Sequence, residues 1–135
     1  MPAGYSGTPL AKKLGFVRGM RVWFHNMPAS VRDEIDPDGL NIDEQASASD
    51  GLQGAHIFVD LRAEMDRQLT ALRELIAPNG FIWVSWPKKA ARLPTDITED
   101  VIREVALPMG LVDTKVCAVD EIWSGLKLVI RKELR

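Results

Sequence analysis

The sequence predicts an α/β fold in three layers, a mostly parallel sheet held between helices and closed by a C-terminal antiparallel hairpin. Three observations predict it. AHIFVDL at 55–61 is a short apolar run of the kind that forms a strand buried on both faces. Leu61, Met65, Leu69, Leu72 and Leu75 or Ile76 then recur at steps of three and four, the helix period, and a second buried-type run, FIWVSW at 81–86, follows at once. Strand, helix and strand with short joints favour parallel pairing. Finally LVDTKVCAVDEIW and GLKLVIRKEL are extended, the second alternating Leu126, Leu128 and Ile130 against Lys127, Val129 and Arg131, with Ser124 and Gly125 as the turn between them.

The other elements follow in chain order. Thr8 caps a short helix with Pro9 at its first position, Leu10 to Leu14 form its body and Gly15 closes it. MRVWFH at 20–25 suits a strand through its Val and aromatic content, and Asn26, Met27 and Pro28 interrupt it. Residues 29–35 form a short helix ended by DPDG at 36–39, and LNID at 40–43 is a second, weaker strand. ASASDGLQG at 46–54 reads as a flexible connection. Pro78, Asn79 and Gly80 stop the long helix, PKKAARLPTD at 87–96 is a loop bounded by prolines, and Asp96 or Thr98 caps a helix through about Leu107 whose buried stripe is Val101, Ile102 and Val105.

With 135 residues, 46% hydrophobic and 27% charged, the chain is expected to form one domain, 1–135, with a short N-terminal helical arm over about 1–18. Seventeen Lys and Arg against nineteen Asp and Glu leave a net charge of -2, so no global positive field draws nucleic acid or an acidic membrane. The single cysteine, Cys117, allows no intrachain disulfide. The N-terminus lacks the apolar core of a signal peptide and no apolar stretch is long enough to span a membrane, which makes the cytoplasm the expected location.

In an open α/β sheet, ligands bind beyond the carboxyl ends of the parallel strands. That rule nominates His25 and Asn26, Asp60, Ser85 with Trp86 and Lys88, and Asp120 with Glu121 and Trp123 as candidate ligand-binding residues. His25 is the candidate for proton transfer, its unperturbed pKa lying near about 6.5, with Asp60 or Asp120 to orient the ring. Asp60 has a simpler reading as the cap of the helix after it. His56 belongs to a different strand among core residues, so no metal is expected, and Cys117 sits in an apolar run that suits a buried structural thiol. Ser6, Ser85 and Ser124 lack the surroundings of a nucleophile elbow. Lys88, Lys89 and Arg92, beside Trp86, form the main basic cluster, with Lys12 and Lys13 a second; a phosphate or nucleic acid could use them, but with an acidic total balance a solvated loop is the favoured reading. GYSGT at 4–8 offers backbone N–H groups to an anion but lacks phosphate-loop spacing.

The strand and helix alternation closed by a hairpin, with LIAPNGFIWVSW at 75–86, resembles the class I S-adenosylmethionine-dependent methyltransferase fold, a Rossmann-like architecture, over roughly residues 20–132. The resemblance implies such a fold and makes S-adenosylmethionine a possible cofactor. The functional motif departs from it. That family ends its first strand in an acid and a glycine-rich turn, whereas this chain has Trp23, Phe24, His25, Asn26, Met27 and Pro28, and no glycine between Gly19 and Gly39. The family's ribose-binding acid has no match here, since Asp43 and Glu44 lie at the end of the weak second strand and the role is not carried over to them, and little chain remains before AHIFVDL for the family's next helix and third strand. GYSGTPLAKKLG, GMRVW, WVSWPKK, TEDVIREVALPMGLVD and WSGLKLVIRKE together resemble a family of small bacterial proteins of unknown function.

Three functions compete at this stage. The first is a non-catalytic or regulatory Rossmann-like domain that uses no cofactor and binds a small molecule or a protein at the strand-end edge. The second is a methyltransferase with an atypical pocket built from His25, Asn26, Asp60 and Trp86, and the third a nucleic-acid module using Lys88, Lys89 and Arg92. A monomer and a homodimer through an edge strand or the Trp123 hairpin are both compatible with the sequence.

Overall fold

Every residue from Gly80 to Pro87 is buried, and this run is the middle of a six-stranded sheet. The computed structural model describes residues 8–135; the expected arm residues 1–7, including Gly4, Ser6 and Gly7 of the GYSGT segment, lie outside the described residues. The elements in order are α1 (Leu10–Leu14), β1 (Arg21–His25), α2 (Ala29–Ile35), β2 (Asp43–Glu44), β3 (Leu52–Phe58), α3 (Arg62–Leu75), β4 (Ile76–Pro87), α4 (Glu99–Ala106), β5 (Leu111–Ala118) and β6 (Trp123–Ile130). The sheet order is β2-β1-β3-β4-β6-β5, with the first four strands parallel and β6 antiparallel to both its neighbours. The predicted three-layer α/β sheet with its C-terminal hairpin is therefore the observed fold.

Period-two alternation divides the strands between two cores. Ala55, Ile57, Val59, Ile82, Val84, Trp86, Leu126, Leu128 and Ile130 face α3 and α4, which supply Met65, Leu69 and Leu72, and Ile102 and Val105. Val22, Phe24, Phe58, Phe81 and Trp83 face the opposite side, covered by Leu10 and Leu14 of α1 and Val31 and Ile35 of α2. Helix α1 has five residues, too few to persist alone. Its last carbonyls are taken by partners from the sheet: the Trp83 indole donates to Leu14 O at 2.7 Å and Lys115 Nζ donates to Lys13 O at 3.0 Å. Gly15, at φ 82, makes the left-handed turn that exposes those carbonyls to the sheet.

Several boundaries differ from the sequence reading, each for a local reason. Helix α1 has Pro9 rather than Thr8 at its cap, with no side-chain cap bond. Strand β2 is only Asp43–Glu44, and β3 starts three residues earlier than AHIFVDL because Leu52 is buried against Ile76, while Asp60 and Leu61 are exposed beyond its end. Pro78, Asn79 and Gly80 form no separate turn: α3 runs straight into β4, and the pairs Leu52 with Ile76 and Gly54 with Phe81 leave these residues bulged inside the strand. Residues 45–51 join β2 to β3 with no helix or strand, so the missing crossover is real. Asp96 and Thr98 both cap, but different helices: Asp96 Oδ1 accepts from the Arg62 N–H of α3 at 2.6 Å, and Thr98 Oγ1 accepts from the Val101 N–H of α4 at 3.2 Å.

The hairpin turn is also displaced. It lies at residues 119–122, while Ser124 and Gly125 are inside β6. Gly125 is in the strand because of what lies beneath it: a Cβ there would meet Trp83 Cε3 at 3.1 Å and Ser85 Oγ at 3.3 Å. Under the same patch His56 is fully buried, its Nε2 2.7 Å from Ser85 Oγ and its ring stacked on Phe58 with centroids 4.3 Å apart.

Two tests of this packing follow. Trp83→Phe keeps most of the buried volume but leaves Leu14 O without its donor, so it should destabilise the protein by about 1–3 kcal/mol in urea unfolding and speed amide exchange in α1 more than in α3. Equal exchange in both helices would show that the indole does not anchor the arm. Burial holds His56 down to about 3. The unfolded chain takes up a proton from about pH 6.5 downward that the folded chain refuses until pH falls near 3. Stability is then complete above pH 6.5 and falls on acidification by about 1.4 kcal/mol per pH unit within that window. His25, also lowered by burial, adds to the slope in the same direction. The double variant His56→Phe with Ser85→Ala removes both buried partners and should flatten the dependence of the urea midpoint on pH below about 6.5; an unchanged slope would place the acid sensitivity elsewhere.

Candidate functional site

Beyond the carboxyl ends of β1, β3 and β4 the chain makes three turns, and the nominated residues divide among them. At the end of β1, His25 lies on the α3 side of the sheet beside Trp23, with ring centroids 5.4 Å apart. Its Nε2 is 3.4 Å from Glu64 Oε1 on α3 and 3.2 Å from Asn26 Nδ2. The carboxylate that meets His25 is thus Glu64, from the first turn of α3, rather than Asp60 or Asp120. Glu64 is shared, since it also accepts from Gln68 Nε2 at 3.0 Å and pairs with Arg67. Burial lowers the His25 pKa, which favours a neutral ring. Sequence spacing offered one signal for this pair: Glu64 falls on the turn of α3 that follows the β3 strand end, as a capping acid would.

Asn26 has φ 54, the left-handed region, and makes the turn into α2 that a glycine would otherwise make. Its Cβ and amide, followed by Met27 and Pro28, fill the place where a glycine turn would let a ligand approach backbone. At the end of β2, both carboxylate oxygens of Glu44 accept from Arg32 of α2, at 2.8 and 2.7 Å, and the same guanidinium lies over the Phe24 ring at 5.6 Å. The acid nearest to a ribose-binding position is committed to holding α2. These residues do not fit S-adenosylmethionine in the manner of the resembling family: the turn carries side chains, the acid is engaged, and no helix separates β2 from β3.

The hairpin candidates serve the turn. Asp120 is buried, and its Oδ1 accepts from the Ile122 N–H at 2.9 Å and the Trp123 N–H at 2.8 Å, fixing the β5–β6 connection. Glu121 is exposed on that turn. Trp123 packs edge-on against Phe58, centroids 5.2 Å apart, as a lid on the α1–α2 core. Ser85 is fully buried with His56 and cannot reach a ligand at the sheet edge. His25 and His56 lie on opposite faces of the sheet. The nine nominees therefore do not converge on one site.

A cavity does open at the end of β4. It has a volume of 440 Å³ and is lined by Trp86 and Pro87 below, Lys89 and Leu93 at the rim, and Thr95, Ile97, Thr98 and Glu99 along the wall. The wall is fixed by polar ties to the β3–α3 junction. Thr95 Oγ1 donates to Asp60 O at 2.7 Å and accepts from the Ile97 N–H at 3.1 Å, the Asp96 N–H donates to the same Asp60 carbonyl at 3.3 Å, and Arg62 pairs with Glu104 of α4 at 2.8 Å. Asp60 thus contributes through its backbone, and its side chain caps nothing. On the other rim the Lys88 N–H donates to Ile122 O at 2.8 Å, and Arg92 takes φ 56 to end a short 3-10 turn at 89–91. Of the nominated residues only Trp86 lines this cleft, Lys88 and Asp60 shape it, and Lys89 of the basic loop borders it. Leu93, Thr95, Ile97, Thr98 and Glu99 were missed because a proline-bounded loop carries no periodicity by which to place its side chains.

No protein-family model and no curated protein sequence matches the chain. Solved structures do. A ribosomal protein L11 methylase from Lactobacillus delbrueckii subsp. bulgaricus superposes with a TM-score of 0.59 at 9% identity, covering 90% of this chain and 77% of that one. A SAM-dependent methyltransferase from Aquifex aeolicus gives 0.59 at 13% identity, covering 90% and 88%. Aeropyrum pernix fibrillarin, solved with natively bound S-adenosyl-L-methionine, gives 0.54 at 12% identity, covering 93% and 70%. Among the described residues no helix is long and apolar enough to cross a membrane. The chain has the fold of the S-adenosylmethionine-dependent methyltransferases, mostly parallel and closed by an antiparallel hairpin.

Proposed function

We propose that this chain is a Rossmann-like binding domain that holds a small molecule in the cleft at the end of β4 and does not transfer methyl groups. The observation that carries this reading is the contrast between the two strand ends. The β1 turn is filled by Asn26, Met27 and Pro28 and its neighbouring acid is paired with Arg32, while the β4 end keeps 440 Å³ of open volume between walls held by hydrogen bonds. Preformed, partly apolar clefts with few polar groups are what small ligands bind. Trp86, Pro87, Leu93 and Ile97 offer an apolar bed, and Lys89 supplies a cation at the rim. The ligand class that fits is an aromatic or alicyclic molecule carrying an anionic group.

The methyltransferase reading stands second, supported by the solved neighbours whose bound S-adenosylmethionine shows what this fold accommodates in them. In that reading the cofactor would lie over His25 and Asn26, and His25 with Glu64 would hold or move a proton beside it. The basic loop reading, with Lys88, Lys89 and Arg92 on nucleic acid, predicts affinity that falls steeply with salt.

Calorimetric titration with S-adenosylmethionine and S-adenosylhomocysteine should give no saturable heat and no rise in melting temperature at millimolar ligand. An NMR-observed screen of aromatic carboxylate fragments should shift the amides of Leu93, Thr95, Ile97 and Thr98, and Trp86→Ala should abolish those shifts with the spectrum otherwise kept. Saturable S-adenosylmethionine binding with shifts at His25, Asn26 and Glu44 would instead place the transferase first.

A further inference from the structure

The cleft at the end of β4 is electrically two-sided. Beside its apolar bed of Trp86, Pro87, Leu93 and Ile97 it is lined by two side chains of opposite charge, Lys89 from the short 3-10 turn after β4 and Glu99 from the first residue of α4. Thr95 and Thr98 are the other polar members of the lining, and both hydroxyls are engaged with backbone: Thr95 Oγ1 with Asp60 O and the Ile97 N–H, Thr98 Oγ1 with the Val101 N–H. The charges that a ligand meets in the cleft are therefore those of Lys89 and Glu99.

Neither charge is held by a tight partner. Glu99 meets Arg103 one helical turn on, but only at 3.4 Å and through Nη2, the nitrogen that also donates to Asp113 Oδ2 at 3.2 Å. Arg103 Nε donates to the same Asp113 oxygen at 3.2 Å and Nη1 donates to Asp100 at 3.1 Å, so one guanidinium serves three carboxylates, of which Glu99 is the farthest. The bond to Asp113 comes first among the causes that raise the Arg103 pKa. Glu99 keeps its Oε1 without a hydrogen-bond partner among the described residues, and its side chain is 41% exposed. On the other side, PKKAARLPT at 87–95 contains Lys88, Lys89 and Arg92 and no acid, and among the described residues Lys89 forms no ion pair. The α4 end of the cleft thus carries an excess of negative charge and the loop end an excess of positive charge.

We propose that the ligand of this cleft is a zwitterion, an amino acid with an aromatic or other large apolar side chain: its side chain lies on the bed of Trp86, Leu93 and Ile97, its carboxylate meets Lys89 and its ammonium meets Glu99. The inference rests on the reading that the cleft holds a small molecule, and it adds which charges that molecule carries. Repulsion selects both charges over one. An anion drawn to Lys89 with no ammonium brings a second negative charge toward Glu99, and a cation drawn to Glu99 with no carboxylate brings a second positive charge toward Lys89. A ligand that carries both has no net charge to oppose either wall, and its apolar body takes the surface between the polar groups.

The test is calorimetric titration of the whole chain at low salt with three probes that share a phenyl ring: L-phenylalanine, hydrocinnamate, which lacks the ammonium, and phenethylamine, which lacks the carboxylate. L-phenylalanine should bind about fivefold more tightly than either of the others, the worth of one partly exposed ion pair. Glu99→Gln should weaken L-phenylalanine by about the same factor and leave hydrocinnamate no weaker, whereas Lys89→Gln should weaken L-phenylalanine and hydrocinnamate together and spare phenethylamine. Asp100→Asn removes an acid that shares Arg103 but does not line the cleft, and should leave L-phenylalanine binding unchanged. Hydrocinnamate bound as tightly as L-phenylalanine, or an L-phenylalanine affinity indifferent to Glu99→Gln, would overturn the zwitterion and leave the cleft a site for anions. No saturable binding of any of the three probes would overturn the zwitterion and the reading of the cleft together.

Discussion

Strand β4 is the constraint on which the other elements depend. Among the described residues it is the only strand that pairs parallel on one side, with β3, and antiparallel on the other, with β6, so it joins the parallel part of the sheet to the hairpin. Both of its faces are buried, and each face carries a different load. Ile82, Val84 and Trp86 build the α3–α4 core, and Phe81, Trp83 and Ser85 build the α1–α2 core. Because Trp83 fills the space under β6, Gly125 must cross it without a side chain, and because its indole N–H needs an acceptor, α1 must end where Leu14 O can meet it. One aromatic residue thereby fixes the hairpin above it and the N-terminal helix beside it.

The same economy explains what became of the strand-end edge. Helix α2 has seven residues and one strongly buried turn, Val31 to Ile35, which is little apolar surface with which to hold a helix. The forked pair between Arg32 and Glu44 supplies the second attachment, with the guanidinium against Phe24. No crossover helix stands between β2 and β3, and the acid at the end of β2 is used to secure structure. Asn26 solves the neighbouring turn in the same spirit: an asparagine tolerates the left-handed backbone, and its amide reaches the His25 ring. Residues that could have formed a ligand cradle are thus occupied with one another.

Much of the fold was legible in the sequence because it rests on periodicity. The spacing of Met65, Leu69 and Leu72 and the unbroken run from Phe81 to Trp86 each admit one reading, and the structure has both. The second strand was hard to place because two residues carry no period, and the turn of the hairpin was misplaced because Gly125 looks the same in sequence whether it bends a chain or clears space for an indole. The site was far less legible. Strand ends could be found, but whether Asp120 faces solvent or its own backbone, or whether Ser85 meets a ligand or His56, depends on which face of the sheet each residue takes and what stands opposite it. A cleft does lie at the end of β4, beside Trp86, but much of its wall comes from a loop with no pattern to read.

Charge distribution adds a constraint that a net value of -2 conceals. The first 32 residues contain Lys12, Lys13, Arg18, Arg21 and Arg32 and no acid, so the excess of acid belongs entirely to the rest of the chain. Arg32 is neutralised by Glu44, and Arg21 donates to Ser49 Oγ at 2.8 Å, but the α1 lysines are turned toward β5, where Lys115 and Lys127 meet them. The fold thus brings together cations that the sequence separates, at the flank where α1 is already held by Trp83. A helix of five residues is too short to persist alone, so α1 depends on contacts with the sheet that salt does not screen. The buried indole bond to Leu14 O and the packing of Leu10 and Leu14 on the sheet are contacts of that kind.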